Sequence, residues 1–92
     1  MDTPRDLSAY GLTPVKAEPD GWIPVTSSNL AAIQWQPLPA PGVLFVRFRN
    51  GSAYAYHGVG EGLYDGLFAA ASKGAYLHTY VKLAGFAFER IA

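Results

Sequence analysis

The sequence predicts an α+β fold, in which a small antiparallel three-stranded meander is followed by one long and one short helix packed on one face. Three observations carry this prediction. Half of the 92 residues are hydrophobic and 15% are charged, which is typical of one small globular domain. Alternating apolar residues occupy the middle of the chain, and helically spaced apolar residues follow them. The chain contains no cysteine, which excludes disulfides, thiolate zinc sites and cysteine nucleophiles.

An acidic, proline-rich arm is predicted over residues 1–24, ahead of a domain at residues 25–92. The arm contains four acidic and two basic side chains and four of the seven prolines. It shows neither helical nor strand periodicity, so we expect it to be extended or partly disordered. Two alternatives stay open: Tyr10, Leu12 and Trp22 dock part of the arm on the domain, or the arm is an ordinary frayed terminus.

Alternation and turn chemistry predict the three strands. They cover residues 31–36, 43–49 and 52–57. Residues 37–42 contain three prolines, which cannot join a sheet ladder, so we interpret them as a stiff connection and not as a ligand for a proline-binding domain. Asn50-Gly51 is the strongest short-range hairpin signal in the chain and joins the second and third strands.

The register of this hairpin decides which side chains reach solvent. A two-residue type I′ turn exposes Tyr54 and Tyr56 beside the arginines of the second strand. A three-residue loop with a left-handed Gly51, a G1 bulge, moves both tyrosines to the apolar face and leaves Phe45 and His57 exposed on the other. We favour the bulged register because it collects nearly every large apolar side chain on one side.

The helical part follows the hairpin. The spacing of apolar residues predicts a long helix over residues 61–73 that ends at Gly74, a shorter helix over residues 75–83, and an extended tail over residues 86–91. Apolar residues that share one face of the strands and helices form the expected core. They are Ile33, Leu44, Val46, Phe48, Tyr54, Tyr56, Leu63, Leu67, Ala70, Leu77 and Val81.

Five short segments then occur in a distinctive order. They are Val25-Thr26-Ser27-Ser28-Asn29-Leu30, Leu44-x-Val46-x-Phe48, Asn50-Gly51, Tyr54-x-Tyr56 and Ala71-Ser72-x-Gly74-x-Tyr76. Over residues 25–92 this set resembles the KTSC domain, which is named for its occurrence at the C-terminus of some lysyl-tRNA synthetases and is also found as a stand-alone bacterial or phage protein. The resemblance implies a domain with no established general activity, for which RNA or DNA binding is suspected from its attachment to a tRNA enzyme.

The side chains that catalysis requires are present, but no motif connects them. Nucleophilic catalysis needs a hydroxyl, a base and a group that orients the base. His57 and His78 belong to no recognisable constellation, and without cysteine they fall short of a zinc ligand set. No glycine-rich phosphate loop is present. We therefore expect a non-catalytic protein with no metal and no cofactor.

Weak, salt-sensitive binding of RNA or DNA is the function that the remaining side chains favour. Such binding needs cations for the phosphates and planar groups on which bases stack. The candidate residues are Arg47, Arg49, Lys73, Lys82, Arg90, Tyr54 and Tyr56. Because lysine and arginine together equal aspartate and glutamate in number, phosphate binding should weaken quickly as salt rises.

Protein association or self-association is the alternative function. A three-stranded sheet has two open edges, and the long helix carries a face of small residues that permits close approach. Gly62 and Gly66 belong to that face. No apolar run approaches the roughly 20 residues of a membrane helix, and the N-terminus lacks the order of a signal peptide. We therefore expect a cytoplasmic protein that does not bind membranes.

Overall fold

Within the part of the chain that the structure describes, the protein forms one five-stranded antiparallel sheet, with the strands adjacent in the order of the sequence. The computed structural model describes residues 11, 14, 15 and 17–92. The strands are β1 (Ile23–Pro24), β2 (Leu30–Gln36), β3 (Val43–Phe48), β4 (Ala53–His57) and β5 (Phe88–Arg90). The sheet therefore exceeds the predicted three-stranded meander by one short strand at each edge. The end of the arm pairs with β2, and the tail that we expected to be merely extended pairs with β4.

The helical region is divided differently from the prediction. It consists of α1 (Glu61–Ala69), α2 (Lys73–Leu77) and a π-helical turn that continues α2 (His78–Lys82). The predicted helix over residues 61–73 was wrong because the chain becomes extended at Ala70, where ψ is 138°. Ser72 then starts a new helix, since its Oγ accepts a hydrogen bond from the Ala75 N–H at 3.3 Å. Gly74, which we expected beyond a helix end, lies inside α2.

The hairpin between β3 and β4 adopts the bulged register. Tyr54 lies opposite Val46, and the second tyrosine of the strand follows on the same face. Gly51 has a φ of 94°, the left-handed conformation that favours glycine. The Phe48 N–H donates to the Ser52 carbonyl oxygen at 2.8 Å, and the Gly51 N–H donates to the Phe48 carbonyl oxygen at 2.9 Å. The structure thus confirms the register that the apolar pattern favoured.

The helices cover the face of the sheet that carries the tyrosines. The buried side chains of this first core are Leu30, Ile33, Leu44, Val46, Phe48, Tyr54, Tyr56, Val59, Leu67, Leu77 and Val81. Of the predicted core residues, Leu63 is only partly buried against this cluster. Ala70 lies outside it, because α1 has ended before this residue.

The opposite face of the sheet is also buried, because the arm lies on it. Val43, Phe45 and Ala55 form a second apolar cluster, against which Val15 and Trp22 of the arm pack. The expectation that Phe45 is exposed was therefore wrong: only 1% of it is accessible. The described part of the arm is docked on the domain. The proposed docking residues 10 and 12 lie outside the described residues, and so does most of the segment for which we expected disorder.

A buried carboxylate, that of Glu89, links the arm to this second face. The expectation of an exposed His57 was wrong, since His57 and Glu89 are 3% and 6% accessible. The His57 Nε2 lies 2.7 Å from the Glu89 Oε2. The same carboxylate oxygen accepts the Val15 backbone N–H at 2.9 Å. Glu89 in β5 therefore holds both a neighbouring strand and the arm.

Candidate anion-binding pocket

A pocket of about 340 Å³ opens at the end of the sheet where β3 turns into β4. Its walls come from the segment before β2, the β3–β4 hairpin, the π-helical turn and β5. The lining residues are Ser28, Asn29, Phe48, Arg49, Asn50, Ser52, Tyr54, Lys82 and Arg90. Three of them are cationic and none is acidic. A chain that is neutral overall thus concentrates positive charge at this place.

Arg49 is positioned by the segment that precedes β2. Its backbone N–H donates to the Asn29 carbonyl oxygen at 3.0 Å. Its Nη1 donates to the Ser27 carbonyl oxygen, also at 3.0 Å. The guanidinium group is therefore held by one carbonyl, that of Ser27, and pairs with no carboxylate among the described residues; its Nε and Nη2 are left as further donors.

Arg90 reaches the pocket because β5 pairs with β4. It lies directly opposite Tyr54 in the ladder, and residues opposite each other in an antiparallel pair share a face of the sheet. Its Nε donates to the backbone oxygen of Ala92 at 2.9 Å. This contact uses one donor of the guanidinium group and leaves the two terminal nitrogens, which have the geometry to bind an oxyanion.

Lys82 completes the set of cations from the last residue of the π-helical turn. Its Nζ lies 5.1 Å from the centroid of the Phe48 ring, a distance at which a ring face attracts a cation. Phe48 also contacts Tyr54 edge to face, with the ring centroids 5.8 Å apart. The floor of the pocket is thus aromatic, and the three cations stand at its rim.

The hairpin turn adds a neutral donor. The Oδ1 of Asn50 accepts the Ser52 backbone N–H at 3.0 Å and the Ser52 hydroxyl at 2.7 Å. Because the backbone N–H can only donate, the amide orientation of Asn50 is fixed, and its Nδ2 is the group that remains for a ligand.

Sequence reasoning missed Asn50, Ser52, Ser28 and Asn29 as site residues. A signal was available, since all four lie in or beside the motifs that carry the family resemblance.

Arg47, a predicted site residue, lies on the other face of the sheet and does not line the pocket. Its Nη2 forms an ion pair with Glu18 of the arm, and its Nη1 donates to the Gly51 carbonyl oxygen at 2.7 Å. Its guanidinium carbon lies 5.1 Å from the centroid of the Trp22 ring. The arm therefore neutralises and partly covers the cation that we expected on an open sheet face.

The other predicted site residues do not all line the pocket. Tyr54 and Tyr56 are 6% and 4% accessible, because the bulged register turns them under the helices. Neither ring offers a face for a nucleobase, although Tyr54 contributes to the pocket wall. The Nζ of Lys73 donates to the Ala70 carbonyl oxygen at 3.1 Å, outside the pocket lining. The structure thus brings together Arg49, Lys82, Arg90 and Tyr54.

The described lining of the pocket carries positive charge but offers no general base. No histidine or carboxylate is among the lining residues, and the contact between His57 and Glu89 lies on the opposite face beneath the arm. Within the part of the chain that the structure describes, no three His, Asp or Glu side chains are grouped as metal ligands. The described residues also include no helix that is long and apolar enough to cross a membrane.

A family model for the KTSC domain matches residues 26–86, which is most of the chain. The chain belongs to the KTSC family. A crystal structure of a KTSC domain protein from Yersinia pestis has the same fold, with a TM-score of 0.68 and 30% sequence identity over 78% of this chain and 97% of that chain. No curated protein sequence matches significantly.

The match leaves both ends of this KTSC protein outside the family model. The matched region contains every pocket residue except Arg90, and it begins after the arm that covers the second sheet face. The motif segment of the KTSC resemblance around Asn29 lies 21 residues before Asn50 in the hairpin motifs, but it converges with them at the pocket. The fold therefore gives these segments a common location that sequence order alone does not show.

Proposed function

We propose that this KTSC domain is a non-catalytic binding module that holds the phosphate backbone of RNA or DNA weakly at the pocket. The observation that supports this function is the convergence of Arg49, Lys82 and Arg90 without an acidic neighbour in the lining. The site lies at the end of the sheet and not on a sheet face, because one face packs against the helices and the other against the arm.

The number of cations sets the expected strength and salt dependence. Each phosphate that is neutralised releases condensed counterions, so the logarithm of the binding constant falls with the logarithm of the salt concentration. For three contacts the slope is about −2 on a single strand and about −3 on a duplex. Binding through so few contacts is weak already at low salt, so a slope of this size should remove it at moderate salt. Polybasic proteins have steeper slopes, and they retain binding only because their affinity at low salt is much higher.

The chemistry of the lining supports a role without catalysis. Hydrolysis of a phosphodiester or an ester needs a base, a metal ion or an activated nucleophile close to the bound group. The lining offers cations, amides, hydroxyls and aromatic rings. Ser52, which would be the obvious nucleophile, donates its hydroxyl proton to an amide oxygen and has no base beside it. We therefore propose binding without turnover.

Fluorescence anisotropy with labelled single-stranded and duplex oligonucleotides, at low and moderate salt, tests the proposal. We expect Arg49→Ala and Arg90→Ala each to weaken binding several-fold and to reduce the salt slope by about one phosphate contact. Arg47→Ala is the matched control, because it removes the same charge from the opposite face. Binding that is insensitive to salt, or that falls equally in all three variants, would contradict a phosphate site at the pocket.

Protein association is the second candidate, and one observation favours a particular surface. Phe68 on α1 is 51% exposed and Leu83 is 70% exposed, and exposed apolar side chains mark interaction sites where they form a contiguous patch. The sheet edges are less suited to pairing, because both edge strands have only two or three residues. Gly66 is also unavailable to a partner, since Tyr76 of α2 packs over it.

Light scattering over a concentration series tests this second candidate. If α1 is an interface between copies, the mass should rise above that of a monomer, and Phe68→Ser should abolish the rise. Leu38→Ser is the control, because Leu38 is 72% exposed but lies in the proline-rich β2–β3 connection. A monomer at all concentrations would contradict self-association through α1.

A further inference from the structure

We propose that the pocket selects a phosphate monoester, as found at the end of a nucleic acid strand or in a mononucleotide, over the phosphodiesters inside a strand. This inference rests on the proposed function, because it names the part of the ligand that enters the pocket. The structural basis is the combination of three cations with a small concave site.

The charge of the site matches a monoester better than a diester. A phosphate monoester carries a charge of about −1.5 to −2 at pH 7, whereas each internal phosphodiester carries one negative charge. Arg49, Lys82 and Arg90 line one pocket and have no carboxylate among its lining residues. A cluster of three cations gains more from a dianion than from a monoanion, since the attraction is proportional to the ligand's charge.

The donors that remain in the pocket also match a terminal phosphate. A monoester presents three equivalent oxygens as strong hydrogen-bond acceptors, and an internal diester has only two that are not bonded to sugars. The two guanidinium groups keep terminal nitrogens after their contacts with backbone oxygens. Lys82 and the Asn50 Nδ2 supply further donors, so each oxygen can receive at least one hydrogen bond.

The size of the pocket limits how much of a ligand it can hold. Its volume of about 340 Å³ is near the lower end of the range of small-molecule pockets, which is about 300–1,000 Å³. Proteins that bind the interior of a single strand follow it along a groove for roughly 4–16 nucleotides. The pocket is therefore suited to a phosphate and its adjoining sugar.

The test compares two oligonucleotides of one sequence that differ only in a 5′-phosphate or a 5′-hydroxyl. We expect the phosphorylated oligonucleotide to bind at least about fivefold more tightly in anisotropy at low salt. Adenosine monophosphate and inorganic phosphate, added as competitors, distinguish a nucleotide from a bare phosphate as the preferred source of the monoester. Arg49→Ala and Arg90→Gln should abolish the preference, while Arg47→Ala should keep it. Circular dichroism checks that each variant is folded.

A pH series provides a second readout that a general loss of affinity would not reproduce. The monoester takes up a proton near pH 6, whereas an internal diester does not titrate there. Arginine and lysine side chains stay charged over this range, and the pocket is lined by no histidine or carboxylate. The preference for the 5′-phosphate should therefore shrink from pH 7.5 to pH 5.0, while binding of the 5′-hydroxyl oligonucleotide changes little.

The outcomes separate this inference from the proposed function. Equal affinity for the two oligonucleotides, with salt-dependent binding that needs Arg49, would overturn monoester selectivity and leave nucleic-acid binding in place. A preference that survives Arg49→Ala and Arg90→Gln would place the monoester elsewhere and overturn the inference. No binding of either oligonucleotide, and none of the competitors, would overturn both.

Discussion

Two glycines of α1 should respond in opposite directions to the same substitution. A Cβ built on Gly62 has no atom within 4 Å, so Gly62→Ala meets no obstacle. A Cβ on Gly66 would lie 2.7 Å from Tyr76 Cζ, and it would be closer still to the hydroxyl oxygen. Neither glycine has a positive φ, so backbone strain does not enter the comparison.

The magnitudes follow from helix propensity and packing. Alanine is favoured over glycine inside a helix by about 1 kcal/mol, so Gly62→Ala should raise the free energy of unfolding by up to that amount. Gly66→Ala gains the same term, but it forces the Tyr76 ring away. That ring packs against the first core and lies 4.7 Å from the Tyr80 ring, centroid to centroid. Overpacking of this kind costs about 1–3 kcal/mol, so the net effect should be destabilising.

Urea unfolding followed by fluorescence measures both variants against the unsubstituted chain. The two free energies of unfolding should differ by about 1–3 kcal/mol, which is several degrees in Tm for a domain of this size. In a Tyr76→Ala background the obstacle is gone, and Gly66→Ala should then stabilise as Gly62→Ala does. A Gly66→Ala variant that is as stable as Gly62→Ala in the natural background would refute the described contact between α1 and α2.

Three further predictions concern the second sheet face and the helix surface. Phe45→Ala should cost about 3–5 kcal/mol in urea unfolding, since the side chain is fully buried, whereas truncating the exposed Leu83 to alanine should change little. Trp22→Ala should release the arm, measured as faster proteolysis between residues 14 and 24, and proteolysis at an unchanged rate would argue against docking. Burial, and secondarily the charge of Asp65, raises the pKa of the Tyr64 phenol above its ordinary value of 10.0. Folding therefore favours the protonated phenol, and the stability that this gives is lost as pH rises above 10. Tyr64→Phe should lessen this alkaline loss.

The hairpin and the first core were predictable because local and global preferences agree. Asn50-Gly51 allows two registers, and only one of them places both tyrosines with the apolar residues of β3. The need to place apolar side chains on one face of the sheet strongly constrains the hairpin register, and the observed register satisfies this constraint. The break at Ala70 was not predictable from the helical spacing alone, because the spacing continues through Ser72. The preference of serine for the N-cap position outweighs this spacing, and a new helix begins after Ser72.

The sequence contains a pattern that indicates burial of the second face of the sheet. Val43-Leu44-Phe45-Val46 is an uninterrupted apolar run, which is typical of a strand covered on both faces and not of a half-exposed one. The arm supplies the missing cover through Trp22 and Val15. The sequence places these two residues in a stretch without periodicity, so the identity of the cover could not be predicted from pattern.

The pocket lies at the end of the sheet because both faces of the sheet are covered. Arg47 lies in β3 beneath the arm, where a cation that loses contact with water needs a partner, and it pairs with Glu18. Arg49 and Arg90 lie at strand ends and are exposed, and their guanidinium groups bind backbone oxygens. The two arginines of the pocket therefore keep their positive charge at places where strands end. These positions came together only once β5 was known to pair with β4, because Arg49 and Arg90 are forty-one residues apart in sequence. Sequence reasoning could name the cations of this site, but only the pairing of the last strand could bring them to one place.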